Sequence, residues 1–549
     1  MRIEGAPWWK SGVVYQVYPR SFQDSNGDGV GDLPGITGRL QYIADLGVQA
    51  VWLSPFYRSP MADFGYDVSD YCDVDPMFGT LADFDALLAF AHELELKVIV
   101  DFVPNHSSDQ HPWFAESRSS RDNPKRDWYT WRPPTDREDI GNRPNNWLAV
   151  FGGPAWTLDP ATGEYYLHSF LPEQPDVNWR NPDLRAAMID AMRFWLDRGV
   201  DGFRFDVAHS IMKDPALRDN PPAAADWRTA GLFKPMGEFG AQQHIYDRAH
   251  PDLHGVYREV RALLDSYERD GRPRFSIGEI HVSDMHEWAG YFGENDELHM
   301  PYNFTLLKTD WTPSAIRSTI EACEASLVSR PWAWPNWVLG NHDEHRVASR
   351  LGAGQARNAM LLLLTLRGTP TIYYGDELGM PDVPIAEDHQ QDPWAIRVPG
   401  YGLGRDPERT PMQWDATENA GFALPAAVPW LPIATDHALR NVKMQRADEG
   451  SMLAFTRALL HLRQASAALS TGSYTSIDVG DDRVLAYQRS AGDERIICVL
   501  NLSAQIVAIN VPGDILLHTT ADAVLRDTDG SLVLAGDAGA VLRPSGPTV

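Results

Sequence analysis

Residues 202–210 read GFRFDVAHS, which sets a cation, Arg204, two positions before a carboxylate, Asp206, among Phe203, Phe205 and Val207. The alternation predicts a strand with Arg204 and Asp206 on one face and apolar side chains on the other. An arginine beside a carboxylate keeps it ionised near neutral pH, as a carboxylate nucleophile requires. Taken alone, the stretch reads equally as a structural ion pair. Similar groups follow other apolar runs: Asp101, Asn105 and His106 near residues 97–103, Glu279 at 274–280, and Asn341, His342 and Asp343 at 337–341.

The elements that must position these groups are short apolar runs at 12–19, 49–55, 97–103, 202–210, 274–280, 299–304, 337–341 and 368–375. Helical spacing lies between them, as at Leu40, Ile43, Ala44 and Leu46 (closed by Gly47), around Phe84–Leu94 and over 183–198. Apolar strands alternating with amphipathic helices predict an α/β fold with a parallel sheet covered on both faces. Eight such strands predict a TIM (β/α)8 barrel, whose active site sits at the C-terminal ends of the strands. The 299–304 strand is the least regular of the eight.

Two excursions interrupt the pattern. Residues 104–173, rich in Pro, Asn, Trp and charge, are too long for a plain loop and predict an inserted subdomain. Residues 380–440, rich in Pro and Gly, predict a second excursion on the same rim, and the helix Met452–Ala465 completes the barrel. The barrel thus comprises 1–103 and 174–465. From 466 to 549 the period changes to short alternating runs, predicting a C-terminal antiparallel β-sandwich.

The formal net charge of −27, from 48 basic and 75 acidic residues, argues against nucleic acid and anionic membrane surfaces. Cys72, Cys323 and Cys498 are too scattered for a disulfide framework or a zinc site. No apolar signal core opens the chain, and no apolar run reaches membrane-span length. The expectation is a cytoplasmic protein, monomer or homodimer, acting on a neutral small molecule without an organic cofactor.

Three carboxylates on one barrel rim suit glycoside hydrolysis: one attacks, one protonates the leaving oxygen, one holds the sugar. The motifs DFVPNH (101–106), GFRFD (202–206), GE (278–279) and NHD (341–343) stand in order on the predicted strands. YQVYPRSF (15–22), QPDVN (174–178) and GTPTIYYGDELG (368–379) flank them. With these motifs the chain resembles the α-amylase family of glycoside hydrolases (family 13), in its α-glucosidase and oligo-1,6-glucosidase branch. The resemblance implies an exo-acting, retaining α-glucosidase working on short α-glucosides of the maltose, isomaltose or sucrose type. A transglucosylase or a sucrose- or trehalose-type isomerase would share the same nucleophile. A non-catalytic relative would carry a membrane helix and lack part of the carboxylate set.

By the same resemblance Asp206 is the nucleophile, Glu279 the general acid/base, and Asp343 the carboxylate that grips the 2- and 3-hydroxyls. Arg204 orients Asp206, while His106 and His342 donate to ring hydroxyls. A retaining mechanism requires roughly 5 Å between the Asp206 and Glu279 carboxyls and a raised pKa on Glu279. GYD (65–67) and RTPMQWD (409–415) resemble a clamp on the non-reducing end: Asp67 and Arg409 would hold the far hydroxyls, and Tyr66 would stack on the ring. A rim ion pair between Asp67 and Arg409 is the plainer alternative. In related enzymes Val at the position of Val207 accompanies acceptance of α-1,6 bonds, and His209 with the 211–250 excursion borders the same leaving-group side.

DSNGDGVGD (24–32) alternates oxygen ligands with glycines, like the start of an EF-hand loop without its distant glutamate or helices. Asp24, Asn26, Asp28 and Asp32, with the Val30 carbonyl, are the candidate ligands of a structural Ca²⁺, with Mg²⁺ as the alternative. A metal-free acidic turn has the same composition.

Overall fold

Eight parallel strands build the centre of the computed structural model, which describes residues 7–223, 237–268, 272–282, 284–520, 523–528 and 530–544. They are β1 (Val14–Val17), β2 (Ala50–Leu53), β3 (Lys97–Phe102), β4 (Gly202–Phe205), β5 (Phe275–Gly278), β6 (Met300–Pro301), β7 (Asn336–Val338) and β8 (Thr369–Tyr373). Their order is β6-β5-β4-β3-β2-β1-β8-β7, a barrel with one seam between β6 and β7. Part of the 211–250 excursion, residues 224–236, lies outside the described residues.

The seam has a local cause. β6 is two residues long and one of them, Pro301, has no N–H to give to a neighbour. The buried side chain of Asn336 bridges instead: its Nδ2 donates to Pro301 O at 2.5 Å, and its Oδ1 accepts from Asn303 N at 2.8 Å. A side-chain amide thus supplies the two bonds that a longer strand would have made.

Helices follow where the sequence spaced them. Leu33–Leu46 begins with Asp32 accepting from Gly35 N and ends at Gly47, whose φ of 97° needs a residue without Cβ. Leu81–Glu93 starts on a reciprocal Thr80–Asp83 capping box, and Pro182–Arg198 starts on Asn181. Residues 104–173 contain the helix Pro112–Ser119 and a small sheet of Trp131–Arg132, Glu164–Leu167 and Trp156–Asp159.

Beyond the helix Met452–Ala465 and the short helix Ala467–Thr471 come, among the described residues, eight antiparallel strands: β9 (Ser473–Ile477), β10 (Val484–Ala491), β11 (Glu494–Asn501), β12 (Val507–Ile509), β13 (Asp514–His518), β14 (Val524–Arg526), β15 (Leu532–Leu534) and β16 (Gly539–Arg543). They form the sheets β9-β10-β11-β16-β13 and β12-β15-β14. Val484, Ala486, Ile497 and Val499 point into the layer between the sheets, with Val507 and Leu534 opposite. The intervening Leu485, Tyr487, Cys498 and Leu500 join the barrel core. One sheet therefore has two buried faces, which fixes the β-domain against the barrel.

Candidate active site

Asp101 ends β3, Arg204 lies in β4 with Asp206 just beyond it, Glu279 follows β5 directly, and Asp343 lies on the loop after β7. The four strands thus deliver their polar ends to one rim. Arg204, 1% exposed, is the hub. Its Nη1 donates to Asp206 Oδ1 at 2.7 Å and to Asp101 Oδ1 at 2.9 Å, and its Nη2 donates to Glu279 Oε2 at 2.7 Å. One guanidinium holding both Asp206 and Glu279 is consistent with the short carboxyl spacing of a retaining pair.

The backbone after Asp206 is strained to serve this cluster. Val207 has φ 34° and ψ 45°, a left-handed conformation that a β-branched residue rarely adopts. It turns the Val207 N–H onto Glu279 Oε2 at 2.9 Å. His281 adds a contact of 2.7 Å between its Nε2 and Glu279 Oε1.

Three carboxylates share one buried cation, so they cannot all ionise freely. Burial, partly opposed by Arg204, pushes Asp101 up to about 7. Burial and the neighbouring Glu279 and Asp101 charges also raise Asp206 well above the usual carboxylate range, again against Arg204. Burial works on Glu279 too, but Arg204, His281 and the Val207 N–H together hold it well below that range. This corrects the expectation of a raised pKa on Glu279. Glu279 accepts from three donors and Asp206 from one side chain, which is why the pull on the proton is weaker at Glu279 than at Asp206.

Asp206, Glu279 and Asp343 line a single cavity of about 330 Å³, together with Tyr66, His106 and Val207. Its size is at the lower end for small-molecule sites. Asp343 Oδ1 accepts from Arg409 Nη2 at 2.8 Å and from Arg405 Nη1 at 3.2 Å. Against burial, His342 and the two arginines depress its pKa. His106 is buried, with its ring nitrogens 3.1 Å from the Gln174 and Asn105 amides, and burial lowers it to about 4. Behind it, Lys213 Nζ sits 2.7 Å from Asp176 Oδ2 and 2.6 Å from Asn105 Oδ1.

The clamp differs from its sequence reading. Asp67 is fully buried and accepts from Ala62 N at 2.8 Å and Asp63 N at 2.9 Å, stapling its own loop. Arg409 gives its Nε to His342 O at 2.7 Å and its Nη2 to Asp343. The two do not pair, and neither lines the cavity. Asp63 and Arg405 stand there instead, Oδ1 to Nη2 at 2.7 Å, with Asp392 on the same Nη2 at 2.7 Å. Phe64 (φ 49°) and Gly65 (φ 109°) fold the loop back so that Asp63, not Asp67, reaches the cavity.

His342 is likewise engaged by protein. Its Nδ1 lies 2.7 Å from Gln16 Nε2, its Nε2 2.6 Å from Tyr66 OH, and the Tyr66 ring stacks on it at 5.5 Å. Burial lowers it to about 3, so it stays neutral. It supports Tyr66 and Asp343 rather than facing the cavity. The sequence reading also missed His281, Arg248, Lys308 and Glu344, which line the same cavity with Phe239 and Phe304. They come from loops and excursions without a period that could have marked them.

In the 24–32 loop, Asp24 accepts from Asn26, Gly27 and Gly29 N–H groups, and Asp28 from Val30 N. Asp32 accepts from Ser25 and caps the helix at Gly35. Among the described residues no Lys, Arg or His pairs with Asp24, Asp28 or Asp32, and Asp24 and Asp32 are buried. Hard oxygen donors that form no ion pair fit Ca²⁺ or Mg²⁺. Elsewhere, His345, Asp382 and Glu408 bring ligand atoms within 4.8 Å of one another. No helix among the described residues is long and apolar enough to cross a membrane.

Known proteins match this arrangement over nearly its whole length. The profile described as alpha amylase, catalytic domain, matches residues 16–472, and that of the maltogenic amylase C-terminal domain matches 474–529. A "Probable alpha-glucosidase" of Rhizobium meliloti (strain 1021) is 43% identical over 92% of this chain and 91% of its own. The oligo-1,6-glucosidase of Parageobacillus thermoglucosidasius is 38% identical over 95% of each. The crystal structure of an alpha-glucosyl transfer enzyme, XgtA, superposes with a TM-score of 0.90 at 44% identity, covering 98% of this chain and all of that one.

Proposed function

The chain belongs to the α-amylase family of glycoside hydrolases, and from that membership we propose an exo-acting, retaining α-glucosidase that releases glucose from short α-glucosides. The observation that carries the proposal is the convergence of Asp206, Glu279 and Asp343 on one cavity walled by the Asp63–Arg405 ion pair.

In this reading Asp206 attacks the anomeric carbon while Glu279 gives a proton to the leaving oxygen, forming a glucosyl-enzyme that water resolves. Its Oε1 is the oxygen for that transfer, because Oε2 is tied to Arg204 and Val207 N. Asp343, ionised between Arg405 and Arg409, accepts the 2- and 3-hydroxyls, and neutral His106 contributes a further hydrogen bond. Tyr66 forms a ring platform. Asp63 and Arg405 take the far hydroxyls and close the cavity against a chain that continues beyond the terminal glucose. Phe239, Phe304 and Val207 make the leaving-group side apolar. That side favours a second reading, transfer to an acceptor in place of water. Val207 fits acceptance of α-1,6 bonds.

The 24–32 loop is proposed to hold a structural Ca²⁺ or Mg²⁺. The three free cysteines fit a reducing, cytoplasmic setting.

Product analysis on maltose, isomaltose, sucrose and soluble starch tests the reading. Free glucose from the small sugars with starch intact is the expected result. Oligosaccharides in excess of glucose would make the protein a transglucosylase, and rapid fragmentation of starch would contradict exo-action.

A further inference from the structure

We propose that His281 is a positioning residue that stores the proton Glu279 delivers, so that the two side chains act as one acid. The inference rests on the reading of Glu279 as the acid/base. With Oε2 held by Arg204 and Val207 N, only Oε1 can reach a leaving group, and Oε1 lies 2.7 Å from His281 Nε2.

The ring is built in rather than dangling. It stacks on Phe304 at 4.5 Å with an interplanar angle of 11°, and meets the edge of His209 at 5.6 Å. It lines the cavity with a third of its side chain exposed, and its Nδ1 has no partner among the described residues. The imidazole can therefore exchange protons with water in the cavity while Nε2 stays on Glu279. Either ring nitrogen of an imidazole can carry a proton.

The step balances. The transfer starts with the proton on Nε2, which donates across the 2.7 Å contact to Glu279 Oε1. Substrate entry displaces water, and a drier cavity favours a neutral pair over separated charges. The Nε2–H bond breaks, an Oε1–H bond forms, and imidazolium with carboxylate becomes imidazole with carboxylic acid at unchanged net charge. The proton then passes from Oε1 to the glycosidic oxygen as its bond to the anomeric carbon breaks. In the second half, Oε1 takes a proton from the attacking water, and the pair is restored.

The charges facing His281 bear on the balance. Arg204 and Asp206 lie beneath Glu279, and His209 Nδ1 contacts Glu279 O at 3.3 Å. Lys308, on the Phe304 ring at 5.6 Å, and Arg248 oppose a further positive charge. Glu344, Asp247 and Asp343 line the cavity and favour it.

The experiment compares kcat/KM on maltose and on α-glucosyl fluoride, whose leaving group needs little protonation, across pH. Wild type is compared with His281→Gln and, so that one misfolded variant does not remove the comparison, His281→Asn. Loss of the stored proton is expected to lower kcat/KM on maltose by about tenfold or more and to move its alkaline limb down by about one pH unit or more. On the fluoride the change stays within about twofold. Equal losses on both substrates with an unmoved limb would overturn the inference alone. A wild type that hydrolyses neither would overturn the glucosidase reading and this inference with it.

Discussion

Asp63 and Arg405 form a buried ion pair at 2.7 Å although 342 residues separate them, so the loop after β2 and the 380–440 excursion meet in one cavity wall. Hydrogen bonds to charged groups contribute about 1.5–3 kcal/mol, so Asp63→Asn should lower kcat/KM on maltose by about 10- to 100-fold. Asp67→Asn, which touches only its own loop (the Ala62 and Asp63 N–H groups and the Ser59 side chain), should stay within about threefold. Steady-state kinetics on both variants decide the matter: equal losses would return the clamp to Asp67.

Removing the cation from the same wall should cost stability as well as activity. Arg405→Ala leaves Asp63 and Asp392 buried without their shared guanidinium. Breaking such a buried pair costs about 3–5 kcal/mol. Urea unfolding measures it, and a loss below about 1 kcal/mol would contradict the arrangement.

His106 should make stability pH-dependent. Its folded pKa of about 4 lies below the unfolded value near 6.5, so the unfolded chain binds more protons between those values, and stability falls as pH falls. Relative to His106→Gln, wild type should lose about 1 kcal/mol between pH 6.5 and 5.5. Denaturant midpoints at the two pH values check the difference; an unchanged gap would mean that His106 is not held neutral.

A cation in the 24–32 loop should be visible in unfolding. Saturating Ca²⁺ at about 100 times its Kd adds about 2.7 kcal/mol to a folded state that alone binds it. Chelator-treated protein should therefore melt lower than protein in Ca²⁺ or Mg²⁺, and Asp24→Asn should remove the difference. Identical melting in chelator and in both ions would make the loop a metal-free turn.

Much of the fold was legible because it rests on local pattern. The apolar runs at 97–103 and 368–375 and the helix at 452–465 each became the expected element. The run at 299–304 shrank to two residues because Pro301 cannot extend a ladder, and no pattern announces that Asn336 will close the gap. The site was legible as a set of motifs, and Asp206, Glu279 and Asp343 do share a cavity. The clamp was not, because Asp63 and Asp67, like Arg405 and Arg409, are four residues apart, and only the turn at Phe64 and Gly65 decides which one faces the cavity. Nor was the order of proton affinities, because Arg204 gathers carboxylates from three strands, and their balance depends on donors such as His281 that no motif marks.

The most direct measurement is trapping with 5-fluoro-α-glucosyl fluoride, which forms the glucosyl-enzyme readily and resolves it slowly, followed by peptide mass spectrometry. The account predicts a single adduct on Asp206, absent from Asp206→Ala. An adduct on another carboxylate, or turnover of maltose undiminished in Asp206→Ala, would contradict it.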